Sequence, residues 1–142
     1  MQEDITIKLN SKIKAYGTLL KPKDSTNKLI IFIHGFLSNQ EHHLFYNAAH
    51  YFYQRGYSTF RYNLYGYQND SRKVNSTSFR TLAQDLSKII SKFKGQYPKI
   101  TLVSHSLGAF IALLANSSDI SSLILWEPSL HPKEMLKNAK KN

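Results

Sequence analysis

The sequence contains no cysteine, which excludes a disulfide framework and a thiolate site and leaves the redox compartment undetermined. It also has no apolar run of the ~18 residues that cross a bilayer, so no membrane span is expected. The opening stretch, MQEDITIKLN, carries acids and alternation where a secretory leader has a basic start and an apolar centre. Cytoplasmic residence is therefore the expectation. Acidic residues are scarce as well: nine Asp and Glu stand against 19 Lys and Arg, for a formal net charge of +10. Such a surplus suits an anionic partner. The cations are scattered, however, and gather only in the tail KEMLKNAKKN. They are read as solvated lysines, and no nucleic-acid partner is expected.

What is present is the composition of a globular protein. Hydrophobic residues make up 42% and aromatic residues 13% of 142 positions, enough for one domain with a real core, spanning residues 1–142. Asp4 to Leu9 alternates polar and apolar, and Lys12 to Leu20 does so less cleanly. With Asn10-Ser11 between them they predict an antiparallel N-terminal hairpin. LIIFIH is a continuous apolar run of the kind buried on both faces of a parallel sheet. Glu41 to Arg55 carries a helical stripe through Leu44, Phe45, Ala48, Ala49 and Phe52, and YSTFRY follows as a strand. After a long polar loop, Phe79, Leu82, Ala83, Leu86, Ile89, Ile90 and Phe93 form a second stripe. KITLVS is then a strand, Ser106 to Asn116 a helix, SSLILW a strand, and Pro132 the start of a short last helix. Alternation of strand and helix from residue 28 onward predicts an α/β architecture: a mostly parallel sheet flanked by helices on both faces.

Two segments place chemistry at the carboxyl ends of such strands, where ligands bind in open α/β sheets. In SHSLG the strand meets the helix with no intervening loop, and a junction that sharp strains its central residue. Small neighbours, Ser104 and Gly108, let the flanking elements close in, so that Ser106 is pushed out above the sheet edge. The amides that follow lie at a helix N-terminus, unpaired and positively polarised. In IHGFLSNQ, Gly35 lets the backbone swing toward the same place, and the N–H of Phe36 is a second candidate oxyanion donor.

These residues resemble the α/β-hydrolases, and among them the small serine esterases of the feruloyl-esterase and acylaminoacyl-peptidase kind. His34-Gly35-Phe36 is similar to the family's oxyanion loop. Ser106, within Ser104 to Gly108, is similar to its nucleophile elbow, with Ser104 where a glycine is usual. RYNLYGYQNDS resembles the loop after the next strand, with Asn63 in place of an aspartate and Tyr67 in place of a glycine. The resemblance implies a Ser106 acyl-enzyme, an oxyanion hole formed by the amides of Phe36 and Leu107, and a small ester or related acyl compound as substrate. It implies no cofactor and no metal. It covers roughly residues 4 to 130, which is the N-terminal half to two-thirds of a typical family fold.

The family's acid and histidine fall after further strands, and no histidine follows residue 131. The fold is therefore expected to be incomplete, C-terminally truncated, and the chain inactive by itself. Glu127, at the end of LILW, and His131 are the candidates for acid and base in a compact arrangement. The plainer expectations are a surface or loop-anchoring carboxylate and a helix cap. A third possibility is a non-catalytic binding module that keeps the oxyanion amides. SSLILW, left as an apolar sheet edge, is the expected site of self-association or of a complementing chain. Of the other histidines, His105 is expected to pack and His34 to orient the oxyanion loop. His42, His43 and His50 lack the i, i+4 spacing of a metal pair. Tyr65 and Tyr67 are candidates to line an acyl or alcohol pocket.

Overall fold

The computed structural model describes residues 1–24, 27–115 and 117–131. Its elements run β1 (Gln2–Lys8), β2 (Lys14–Leu20), β3 (Lys28–Ile33), α1 (His43–Tyr53), β4 (Ser58–Tyr62), α2 (Phe79–Lys94), β5 (Lys99–His105), α3 (Leu107–Ala115) and β6 (Ser122–Trp126). One 3₁₀ turn, Val74–Ser76, interrupts the long loop before α2. The strands form one sheet in the order β1-β2-β4-β3-β5-β6. From β4 to β6 all pairings are parallel, while β1 and β2 join antiparallel as the expected hairpin. The Asn10 side chain closes that hairpin by accepting the amides of Lys12 at 2.8 Å and Ile13 at 2.9 Å, the local bonding that favours Asn in turns.

Side chains alternate across β3 and so feed two separate cores. Leu29, Ile31 and Ile33 join one cluster with Leu82, Leu86, Ile89, Ile90 and Phe93 of α2 and Ile111 of α3. Ile30 and Phe32 join the other, with Phe45 and Ala49 of α1. Helices thus cover both faces, as the period-two and period-3.6 patterns require. Each fully buried Leu or Ile contributes roughly 1.5–3 kcal/mol relative to exposure, so the α2 stripe is the largest anchor. Ser78 caps α2 by accepting the Thr81 amide at 3.1 Å.

Helix α1 begins at His43, two residues after the expected Glu41. The preceding backbone is committed elsewhere: the Gln40 amide donates to Asn63 Oδ1 at 2.9 Å, and the Gln40 carbonyl accepts from Arg61 at 2.9 Å. The loop after β4 is pinned from below. Arg72 grips Asp85 of α2 through two bonds of 2.7 and 3.0 Å, and Lys73 Nζ donates to the carbonyls of Gly66, Tyr67 and Gln68. At the other side of the sheet β6 is the edge strand among the described residues, with Ile124, Leu125 and Trp126 exposed. The short helix expected after Pro132 lies outside the described residues. Among the described residues no helix is long and apolar enough to cross a membrane.

Candidate active site

A single residue, Ser106, separates the end of β5 from the start of α3. It has a φ of 51°, a left-handed conformation that costs a non-glycine residue about 1–2 kcal/mol. Surrounding bonds hold it there. Its amide donates to the Trp126 carbonyl at 3.1 Å, and its own carbonyl accepts from Ala109 at 3.1 Å and Ser129 at 3.0 Å. Among the described residues the other non-glycine positive-φ positions are Leu37 and Glu127. All three lie just beyond the carboxyl ends of parallel strands, so backbone strain is concentrated at one edge of the sheet, where strain most often serves function.

The two glycine motifs meet at this edge. A Cβ on Gly108 would lie 2.6 Å from the Ile33 carbonyl oxygen and 2.7 Å from that of His34, so the first turn of α3 rests directly on the end of β3. A Cβ on Gly35 would lie 3.1 Å from Ser106 Cβ. Ser104 is fully buried and donates to the Ile124 carbonyl at 3.3 Å. Among the described residues, the amides of Phe36 and Leu107 and the hydroxyl of Ser106 have no hydrogen-bond partner. Unpaired amides at a helix start and an adjacent turn form a cradle for negative charge.

The segment 34–41 is held from behind. His34 is buried; its Nε2 accepts the Leu64 amide at 3.0 Å, which leaves the proton on Nδ1 to be donated to the Gly35 carbonyl at 2.8 Å. Burial lowers the pKa of this ring to about 4, so it stays neutral. The Tyr65 hydroxyl accepts the Leu37 amide at 2.6 Å and donates to the Gly35 carbonyl at 3.3 Å, while its ring packs edge-on against His34. Burial raises the Tyr65 pKa, which keeps the group a neutral phenol. Arg61, almost fully buried, reaches the Gln40 carbonyl and the Glu41 carboxylate and lies 4.9 Å over the ring of Tyr46. Beside this segment runs a crevice of about 520 Å³ lined by Leu37, Ser38, Tyr65, Tyr67, Val74 and Asn75, among others.

Of the residues singled out in the sequence, Ser106, Gly35, Phe36, Leu107, Gly108 and His34 converge. Glu127 lies on the same edge, but its carboxylate is 3.7 Å from Nε2 of His105. That ring is packed edge-on between Phe45 and Trp126, the packing role expected of it. His131 is exposed, and among the described residues no hydrogen bond or ion pair joins it to Ser106. The anchoring by Tyr65 and Asn63 was not visible in the sequence; the only signal was a polar aromatic and an amide just after a buried strand. Among the described residues no group of three or more His, Asp or Glu is arranged to hold a metal ion.

A largely parallel sheet sandwiched by helices, with a strained serine between strand and helix, defines the class of α/β hydrolase folds. The chain belongs to the alpha/beta hydrolase fold family, whose model matches residues 28–142. Est1E from Butyrivibrio proteoclasticus, solved with ferulic acid bound, is similar with a TM-score of 0.81 at 23% identity, over 94% of this chain and 56% of that one. The Pyrococcus furiosus esterase PF2001 is similar with a TM-score of 0.79 at 18% identity, over 99% and 57%. A dienelactone hydrolase from Anabaena variabilis gives 0.77 at 18%, over 90% and 63%. At these identities the likeness is one of fold, and the chain spans between half and two-thirds of the length of each. None of the curated proteins matches the sequence.

Proposed function

We propose that this chain carries the nucleophile half of a serine hydrolase acting on small carboxylic esters. Ser106 Oγ attacks the ester carbonyl carbon, and the amides of Phe36 and Leu107 receive the charge that develops on the carbonyl oxygen. The C–O bond to the alcohol then breaks, the alcohol leaves with a proton, and water releases the acyl group from Ser106. One observation carries the reading: a serine at φ 51° stands against Gly35, with unpaired amides on either side. Family membership and the esterase neighbours support hydrolysis as the reaction class.

The step needs a proton acceptor. In this reading a histidine reaches Ser106 from residues that pack against the β6 edge, so residues 1–131 alone hold the oxyanion machinery without its base. The exposed apolar side chains of β6 support that edge as the docking site for a complementing chain or a second copy. The compact arrangement, with Glu127 as acid and His131 as base, requires Glu127 to leave His105. A second reading, a binding module for carboxylates, draws support from the Ser106 hydroxyl having no partner among the described residues.

Reaction with a fluorophosphonate probe separates these. Labelling of Ser106, slow for want of the base and lost in Ser106→Ala, is the expected result. Loss of that labelling in His131→Ala and Glu127→Gln assigns the compact arrangement. A folded chain that never labels supports the binding reading or truncation, and hydrolysis of p-nitrophenyl acetate that survives Ser106→Ala overturns the assignment of the nucleophile.

A further inference from the structure

The Gly35 carbonyl oxygen receives an unusual number of donors. His34 Nδ1–H approaches it at 2.8 Å, the Tyr65 hydroxyl at 3.3 Å and the Ser38 amide at 3.4 Å. This carbonyl shares its peptide plane with the N–H of Phe36. In a trans peptide the two point in opposite directions, so fixing the oxygen from behind fixes where the Phe36 N–H is aimed. Donors on the carbonyl also polarise the peptide and strengthen its N–H as a donor. The same Tyr65 hydroxyl takes the Leu37 amide at 2.6 Å, and Leu37 is the strained residue at φ 54°. A single side-chain oxygen therefore bonds the backbone immediately before and immediately after Phe36.

Building on the acyl-transfer reading above, we propose that Tyr65 is a positioning residue: its hydroxyl holds the Gly35–Phe36 peptide so that the Phe36 amide faces the oxyanion formed at Ser106. His34 shares the task, but it is buried and also bonds Leu64, so replacing it disturbs the core. Tyr65 is only half-buried, and Tyr65→Phe removes one oxygen while keeping the ring that packs on His34. The role differs from merely lining the neighbouring crevice. A wall residue governs how well a ligand binds, whereas a residue that aims an oxyanion donor governs the rate of the bond-forming step.

The test measures fluorophosphonate labelling of Ser106 at several probe concentrations in the wild-type chain and in Tyr65→Phe, together with amide hydrogen exchange of residues 36–38 in both. The expected result is a labelling rate at saturation about tenfold lower, a half-saturating probe concentration within twofold, and faster exchange at Leu37 with β5 unchanged. Wild-type labelling matched by the variant at saturation overturns the positioning role and leaves the acyl-transfer reading intact. A shift confined to the half-saturating concentration overturns it in favour of a wall of the crevice, and unchanged exchange at Leu37 overturns it whatever the labelling shows. A wild-type chain that never labels overturns activation of Ser106 in the chain by itself, and unchanged Leu37 exchange then overturns the role of Tyr65. Leu37 exchange then still separates that failure from failure of the Tyr65–backbone bonds.

Discussion

Gly35 and Ser106 approach so closely that a methyl group on the glycine would stand 3.1 Å from Ser106 Cβ. They lie 71 positions apart in sequence and are joined by the parallel pairing of β3 with β5, which sets Ile33 beside Ser104. The register therefore assembles the candidate site. It brings a turn that exposes one amide against a turn that exposes a hydroxyl and a second amide.

Gly35→Ala tests that approach. At 3.1 Å the neighbour must give by a few tenths of an ångström. Stability is expected to fall by no more than about 1 kcal/mol. Labelling of Ser106 by a fluorophosphonate is expected to fall far more, by roughly tenfold to a hundredfold, because small misplacements at a reacting centre cost rate steeply. Denaturant titration and labelling kinetics on the same preparation check both parts.

Gly108→Ala is expected to behave the other way round. Its Cβ would collide with backbone carbonyls of β3 at 2.6 and 2.7 Å, atoms that cannot rotate away. The first turn of α3 has to lift off the sheet, at a cost of roughly 1–3 kcal/mol. A lowered denaturation midpoint with an unchanged slope is the measurement, and a midpoint equal to wild type is the opposing result.

Much of this architecture is legible in the sequence, for identifiable reasons. Ser106 stands out because no loop residues separate two apolar runs. Helix α2 stands out because its stripe persists over four turns between a serine cap and a glycine. The start of α1 is not legible, because Arg61, 20 positions away, holds the backbone of Gln40 and the carboxylate of Glu41. The anchoring role of Tyr65 is hidden for the same reason: its partner Leu37 is 28 residues distant. The pairing of Glu127 with His105 depends on the register of β6 against β5, which sets Trp126 beside His105 and so brings the next residue to that ring. Local patterns foretell elements; long-range register decides which side chains meet.

Arg72 and Asp85 give a prediction about stability alone. Asp85 is buried, and its two oxygens are both bonded by the guanidinium of Arg72, whose pKa rises through that hydrogen bond. Arg72→Met strands a buried carboxylate and is expected to cost roughly 3–5 kcal/mol. Adding Asp85→Leu removes the stranded charge and is expected to recover a large part of the loss. A double-mutant cycle by chemical denaturation checks this, and strict additivity of the two changes is the contrary outcome.

His34 supplies the pH dependence. Burial lowers its folded pKa from 6.5 to about 4, while the unfolded chain keeps the ordinary value. Between those two pH values the unfolded chain binds the extra proton, so stability rises with pH across that window. The contribution is complete above pH 6.5 and disappears as pH falls toward 4, amounting to about 3 kcal/mol. Asp70, held down by Lys14 and Tyr16, titrates below the ordinary carboxylate value and acts at lower pH still. Unfolding free energies measured from pH 7 to pH 4 are expected to fall steeply in the wild type and less steeply in His34→Gln. The His34 ring resonances should remain those of the neutral Nδ1–H form down to about pH 4. A ring that titrates near 6.5 in the folded chain means that the Leu64 amide is not bonded to Nε2, and the support beneath the Gly35 carbonyl is then absent.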